Sequence, residues 1–198
     1  MGVVKSWTSD SGASLWLWKS TPLSVQNYDI FSTHKKGREK ERELISGFNT
    51  YLHPSKTIVK DEFGKPFLEP TDIHINYSHA GDYLLWGEHE QFSIGVDLES
   101  KRPQLERIAT KFCSERELDE LSGDRLEGLL AIWTCKEAMY KAYGKKEVDY
   151  RDRFYVLPFE LREQGCIRAQ FLLETVIDFD IEYRWEEGYL ASWTIFKL

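Results

Sequence analysis

The chain has 198 residues, 41% of them hydrophobic and 14% aromatic, with a formal net charge of -7. That is enough apolar material for one large domain or two small halves, and it excludes a disordered chain. An acidic balance of this size also argues against binding nucleic acid through the overall field, so any anion site must be local.

Three cysteines, Cys113, Cys135 and Cys166, lie far apart and are odd in number, which points to a reducing, cytoplasmic setting. The N-terminus has no charged start with an apolar stretch behind it, so neither export nor a membrane span is expected. Met1-Gly2 with Ser6 fits the loose N-myristoylation pattern, which is easily matched by chance.

Taken in chain order, residues 13–19 alternate Leu15 and Leu17 with Trp16 and Trp18, which predicts a strand with both faces partly covered. Residues 34–52 are charged at first and apolar later, as in a helix whose early turns face water. Residues 61–70 carry Gly64, Pro66 and Pro70 and read as a turn or extended loop. Short β-prone runs follow at 73–76, 83–86 and 93–98, parted by His79-Ala80-Gly81-Asp82 and by residues 87–91, in the manner of a meander. The period then becomes helical over 105–112, 115–121 and 126–143, with Gly144 as the last helix's stop signal. Strands return at 166–173, 177–185 and 189–196. This order predicts an α+β protein made of two α+β units in tandem, residues 1–93 and 94–198.

Four constellations could carry chemistry. In Ile94-Gly95-Val96-Asp97-Leu98-Glu99 the strand period puts Asp97 and Glu99 on one face and Val96 and Leu98 on the other. Two such anions about 7 Å apart repel by about 2 to 3 kcal/mol at an effective dielectric of about 20, so a site that keeps both ionised wants a cation, and magnesium suits oxygen ligands near phosphate. A carboxylate pair at a strand end that faces water explains the same two residues. In Trp133-Thr134-Cys135-Lys136-Glu137-Ala138-Met139-Tyr140-Lys141 the i,i+4 spacing raises Glu137 and Lys141 from one helix face, with Trp133 a turn earlier. That is either a surface ion pair or a metal-held base beside a phosphate-binding cation.

Asn76-Tyr77-Ser78-His79 ends a strand, where a hydroxyl, an imidazole and exposed amides either hold phosphate oxygens or make an ordinary Asx or Ser turn. In Phe63-Gly64-Lys65-Pro66 the proline fixes an extended backbone that could lie along a flat ligand while Lys65 reaches an anion. The mixed run from His34 to Arg42 is a solvated helix start or a local phosphate site.

Together these motifs, in this order, resemble the 4'-phosphopantetheinyl transferase superfamily in its longer, surfactin-synthetase-activating form, over residues 61–144. The resemblance implies two similar α+β halves related by a pseudo-twofold, a monomer, and a cleft between the halves that holds coenzyme A as co-substrate. Residues 1–93 would then form the coenzyme A side and 94–198 the magnesium and catalytic side. It implies that Asp97, Glu99 and Glu137 bind Mg2+, that Lys141 contacts the pyrophosphate, that Ser78 and His79 hold coenzyme A phosphates, and that Gly64, Lys65 and Pro66 line the adenine. Lys36, Arg38 and Arg42 are candidates for the 3'-phosphate, although the match is poor there and Phe48 stands where many relatives have an arginine. The implied acceptor is a serine of an apo carrier protein, with neither nucleic acid nor membrane as partner. The implied base is Glu137, acting directly or through a water.

Ile108 and Phe112, four apart, and Leu118 and Leu121, three apart, form apolar stripes around Cys113-Ser114, and from these Phe112 and Leu118 are expected to meet the carrier. Two competing readings are a non-catalytic module that binds coenzyme A or a carrier, which would need a broken acidic set, and a metal-dependent phosphohydrolase or nuclease, which would need further Asp or His ligands in an obvious motif.

Overall fold

The computed structural model describes residues 4–19, 38–71, 73–145 and 148–197, apart from the side chains of Arg38 and Lys40. A six-stranded sheet takes β1 (Val4–Thr8), β2 (Ser14–Lys19), then, after helix α1 (Arg38–Leu52), β3 (Thr57–Lys60), β4 (Pro66–Glu69), β5 (Ile73–Ala80) and β6 (Tyr83–His89). A five-stranded sheet takes β7 (Ser93–Ser100), then, after helices α2 (Gln104–Phe112), α3 (Glu115–Glu120), α4 (Arg125–Tyr143) and α5 (Tyr150–Arg153), strands β8 (Phe154–Val156), β9 (Gln164–Leu172), β10 (Val176–Glu186) and β11 (Tyr189–Phe196).

With β1 set aside, the two sheets have one topology. Their orders are β2-β6-β5-β4-β3 and β7-β11-β10-β9-β8, every neighbour antiparallel. In each, the strand before the helical crossover pairs with the last strand of its unit. Two similar α+β units require this, and β1 is an added edge hairpin partner of β2.

Strand alternation builds the layers. Leu15, Leu17 and Leu85 from the first sheet meet Ile94, Val96, Leu98, Ala191 and Trp193 from the second in one shared core. The opposite face of the first sheet, through Trp18, Leu68, Ile75, Leu84 and Trp86, is covered by Leu44, Ile45 and Phe48 of α1. Phe48 is sandwiched by aromatic rings, 5.4 Å from Trp18 and 5.7 Å from Trp86 between centroids. The second sheet's other face is covered by α4, which is buried around most of its circumference because α2 lies on its far side.

Local signals set the ends of α4. Asp124 caps its start by accepting from the Glu127 amide, and Gly144, at φ 76, ends it with its N–H on Tyr140 O. Gly95 sets its depth. A Cβ there would come within 2.0 Å of the Ala138 carbonyl oxygen, so only glycine lets α4 lie this close to β7.

The structure departs from the sequence expectations in the stretch 61–70, at the ends of β5 and β6, where Gly87 to His89 are strand and not turn, and in several short elements. The stretch 61–70 is not all loop, because Pro66 opens β4, a position where a missing N–H is tolerated. His79 and Ala80 belong to β5, so the turn before β6 is Gly81-Asp82 alone. Strands β1, β3 and β8 and the one-turn helix α5 are too short and too weakly patterned to have been read. Helix α1 is described from Arg38 onward, so the part of the predicted helix at residues 34–37 lies outside the described residues.

Candidate active site

Strand β7 is an edge strand, and its unpaired side lies along β5. The Val96 amide donates to Asn76 Oδ1 at 3.1 Å, which satisfies a ladder group that has no strand partner. Two residues on, the Ser78 hydroxyl donates to Asp97 Oδ1 at 2.9 Å. The alternation of β7 sends Val96 and Leu98 into the core between the sheets and turns Asp97 and Glu99 toward α4. Glu137 and Lys141 flank Ala138, the residue that Gly95 admits, so one glycine fixes the separation between the strand's carboxylates and the helix's side chains.

Lys141 donates from Nζ to Asp97 Oδ1 at 2.8 Å and to Val96 O at 3.0 Å. Asp97 is 4% exposed, and its other oxygen, Oδ2, is buried with no partner among the described residues. Glu99 accepts at Oε1 from Arg102 at 2.7 Å and from Trp133 Nε1 at 3.2 Å. Burial and then the Asp97 charge raise the Glu99 carboxyl above the usual carboxylate range. The same two causes push Glu137 up to about 6, opposed by Lys141 and by a hydrogen bond from the Tyr150 hydroxyl. Burial and then Glu137 raise the Tyr150 phenol in turn.

Three carboxylates therefore share one face with more negative charge than Lys141 and Arg102 offset. As the side chains stand, no three His, Cys, Asp or Glu among the described residues close around one point, because Glu99 is turned to Arg102 and Trp133. The oxygen-only donor set, the mutual repulsion and the orphaned Oδ2 fit a hard divalent cation held by Asp97, Glu99 and Glu137.

A buried ion pair supports this face from behind. Lys136 and Glu117 are both fully buried and 2.7 Å apart, and Lys136 also donates to Phe112 O and Tyr150 O. Burial lowers the Lys136 pKa. Glu117 accepts from the Ser114 and Val156 amides, so the pair is fully hydrogen-bonded and ties α2, α3, β8 and Tyr150 to α4. Tyr150 stacks on Trp133 at 5.9 Å and packs against Tyr140 at 5.3 Å.

The sequence-named residues thus fall into groups. Ser78, Asp97, Glu99, Glu137 and Lys141 are together. His79 lies on the opposite face of β5 from Ser78, exposed, with Nδ1 3.6 Å from Glu41 of α1. Arg42 is exposed on α1; Lys36 and the Arg38 side chain lie outside the described residues. Gly64, at φ 89, turns the β3–β4 hairpin, and Pro66 is buried behind it. Lys65 is turned toward the end of α4.

Phe112 requires correction as a carrier contact. It is 2% exposed and meets Trp133 edge-on at 5.1 Å, so it is core. The buried stripe of α2 is Leu105, Ala109 and Phe112, one register step from the Ile108 and Phe112 stripe expected. Leu118 is half-buried against the same core. Arg102, Tyr150 and Lys136 are site residues that sequence reasoning missed. Only Arg102, three residues after Glu99, had a local signal.

Comparisons with known proteins agree with the motifs. The 4'-phosphopantetheinyl transferase superfamily profile matches residues 93–194, just over half of the chain. The chain is 31% identical to the 4'-phosphopantetheinyl transferase HetI of Nostoc sp., over 80% of this chain and 73% of that protein. It is 29% identical to the 4'-phosphopantetheinyl transferase ffp of Bacillus subtilis, over 65% and 58%. It is 32% identical to the 4'-phosphopantetheinyl transferase Sfp of Bacillus subtilis strain 168, over 42% and 39%, so it spans less than two thirds of both Bacillus proteins. With a profile match over the half that carries Asp97, Glu99, Glu137 and Lys141, the chain belongs to the 4'-phosphopantetheinyl transferase superfamily.

Proposed function

We propose that this chain transfers the 4'-phosphopantetheine group of coenzyme A to a serine hydroxyl of an apo acyl, peptidyl or aryl carrier protein, releasing 3',5'-ADP. The observation that carries the reading is the junction of β5 and β7, where Ser78 and Lys141 converge on Asp97 and the buried Oδ2 stands free beside Glu99 and Glu137. In this reading residues 1–93 supply the coenzyme A side and residues 94–198 the metal and catalytic side.

Asp97, Glu99 and Glu137 would hold Mg2+, which when bound supplies charge neutralisation to the pyrophosphate. Lys141, a turn along α4 from Glu137, offers its ammonium to an oxygen of the 5'-phosphate of the leaving 3',5'-ADP, where charge grows as the P–O bond breaks. Glu137 takes the proton of the attacking serine hydroxyl, directly or through a water. Ser78 donates to a phosphate oxygen from the first sheet. His79 and Arg42 border the outer phosphate near α1, and Gly64, Lys65 and Pro66 border the adenine.

A net charge of -7 and an acidic carrier leave little long-range attraction, so docking rests on local contacts in which Leu118, Lys111 and Arg116 take part. No described helix is long and apolar enough to cross a membrane. We infer a cytoplasmic monomer, since one chain holds both units, with neither nucleic acid nor membrane as a partner. The deciding experiment is intact-mass spectrometry of an apo carrier incubated with coenzyme A, Mg2+ and the protein. A gain of one phosphopantetheine mass is expected. No gain across fatty-acid, polyketide and peptide-synthase carriers would overturn the reading.

A further inference from the structure

Lys65 does not point toward open solvent or toward the carboxylates. Its ammonium donates to the carbonyl oxygens of Lys141 at 2.8 Å and Ala142 at 2.7 Å, and to the Ser93 hydroxyl at the start of β7. Ser93 in turn donates to Ala142 O. The last carbonyls of a helix have no intrahelical donors, and a helix C-terminus carries partial negative charge. Gly144 satisfies one of them, Tyr140 O, through its own N–H. Lys65, from a hairpin in the other sheet, satisfies the next two. Its three N–H groups match three acceptors, which a neutral amine with two N–H groups could not do.

Local structure on both sides shapes this contact. The hairpin is braced by Asp61, whose Oδ1 accepts from the amides of Phe63 at 2.9 Å and Lys65 at 2.8 Å, while its own amide donates to Lys65 O at 3.0 Å. On the helix side, a Cβ at position 144 would sit 2.8 Å from Lys65 Cδ, so glycine leaves the groove through which the lysine stem passes. Burial pushes Lys65 down to about 7, and the Asp61 charge opposes that shift.

We propose that Lys65 is a positioning residue, a latch that fastens the β3–β4 hairpin of the first sheet to the last turn of α4, the turn that carries Lys141. Building on the transferase reading above, the latch sets the distance between the loop at the adenine end of coenzyme A and the cation at its pyrophosphate. Lys65 therefore uses its charge on protein carbonyls, and it is not a phosphate ligand.

The test compares the full chain with Lys65→Met, which keeps most of the apolar stem and removes the cation. Hydrogen exchange without ligand should rise about tenfold or more in residues 61–68 and 140–145 and stay unchanged elsewhere, because helix ends without partners fray. In steady state, KM should rise by the same factor for coenzyme A and dephospho-coenzyme A, while KM for the carrier changes little. A phosphate-binding Lys65 would give the opposite pattern: unchanged exchange in the free protein and a larger loss with coenzyme A than with dephospho-coenzyme A. That result would overturn the latch. Should Lys65→Met fail to fold, Ser93→Ala removes one acceptor and should raise exchange several-fold in the same two segments; no rise there overturns the proposal as well. The exchange measurement decides the latch even if no carrier is modified.

Discussion

The Lys141 ammonium is held 2.8 Å from Asp97 Oδ1, across the gap between the last turns of α4 and the edge strand β7. The cation proposed to meet the 5'-phosphate of the leaving 3',5'-ADP is thus held on a carboxylate that is also a proposed ligand of the divalent ion. Both partners are largely buried, so the pair is poorly screened by salt. Asp97→Ala and Lys141→Ala are expected to lower kcat for transfer by about two orders of magnitude or more. Intact-mass kinetics on a purified, folded variant measures it, and near-wild-type turnover would remove these residues from the site.

Gly95 holds α4 down on β7. In Gly95→Ala the new methyl meets Ala138 O at 2.0 Å and must lift the helix. Overpacking of this kind costs about 1 to 3 kcal/mol. Urea unfolding should show that loss, and transfer should fall further than the loss of folded protein explains, because Glu137 and Lys141 move with the helix. Equal stability and activity in the variant would mean that the close approach is unimportant.

Glu137 gives a pH signature. Its carboxyl rises from the ordinary 4.5 to about 6 because burial and Asp97 disfavour the anion. The fold therefore favours the protonated form: this group's contribution to stability is full below about 4.5 and is lost as pH rises through about 6. Cation binding runs the other way, since a ligand must be ionised. The rise in Tm caused by Mg2+ should be small at pH 5 and large at pH 7.5, and Glu137→Gln should flatten that dependence. A Mg2+ effect of the same size at both pH values would count against Glu137 as a ligand.

Phe112→Ala separates core from surface. A phenylalanine 2% exposed and edge-on to Trp133 should lose about 3 to 5 kcal/mol of stability on truncation. KM for the carrier should not rise selectively. A selective carrier defect with an unchanged Tm would restore Phe112 to the docking surface.

Much of this protein was legible in the chain because strand and helix periods are local. Alternation placed Asp97 with Glu99, and the i,i+4 step placed Glu137 with Lys141, since backbone geometry over a few residues decides which face a side chain takes. The same logic, applied to β5, separates Ser78 from His79, but reading position 79 as a turn concealed it. The family motifs likewise named the four charged residues that the structure gathers.

Tertiary structure alone decided the partners. Lys65 meets a carbonyl 76 positions away, Lys136 meets Glu117 across 19, and Tyr150 reaches Glu137 from a one-turn helix with no periodic signal. Gly95 is visible in the sequence, but the need for it arises from a helix that follows some forty residues later. Which of two neighbouring apolar stripes on α2 faces inward depended on where α4 lies, and a short run such as Ile108 to Phe112 fits either register. Composition and period fix the faces, whereas contacts between faces depend on how distant segments pack, and no local pattern records that.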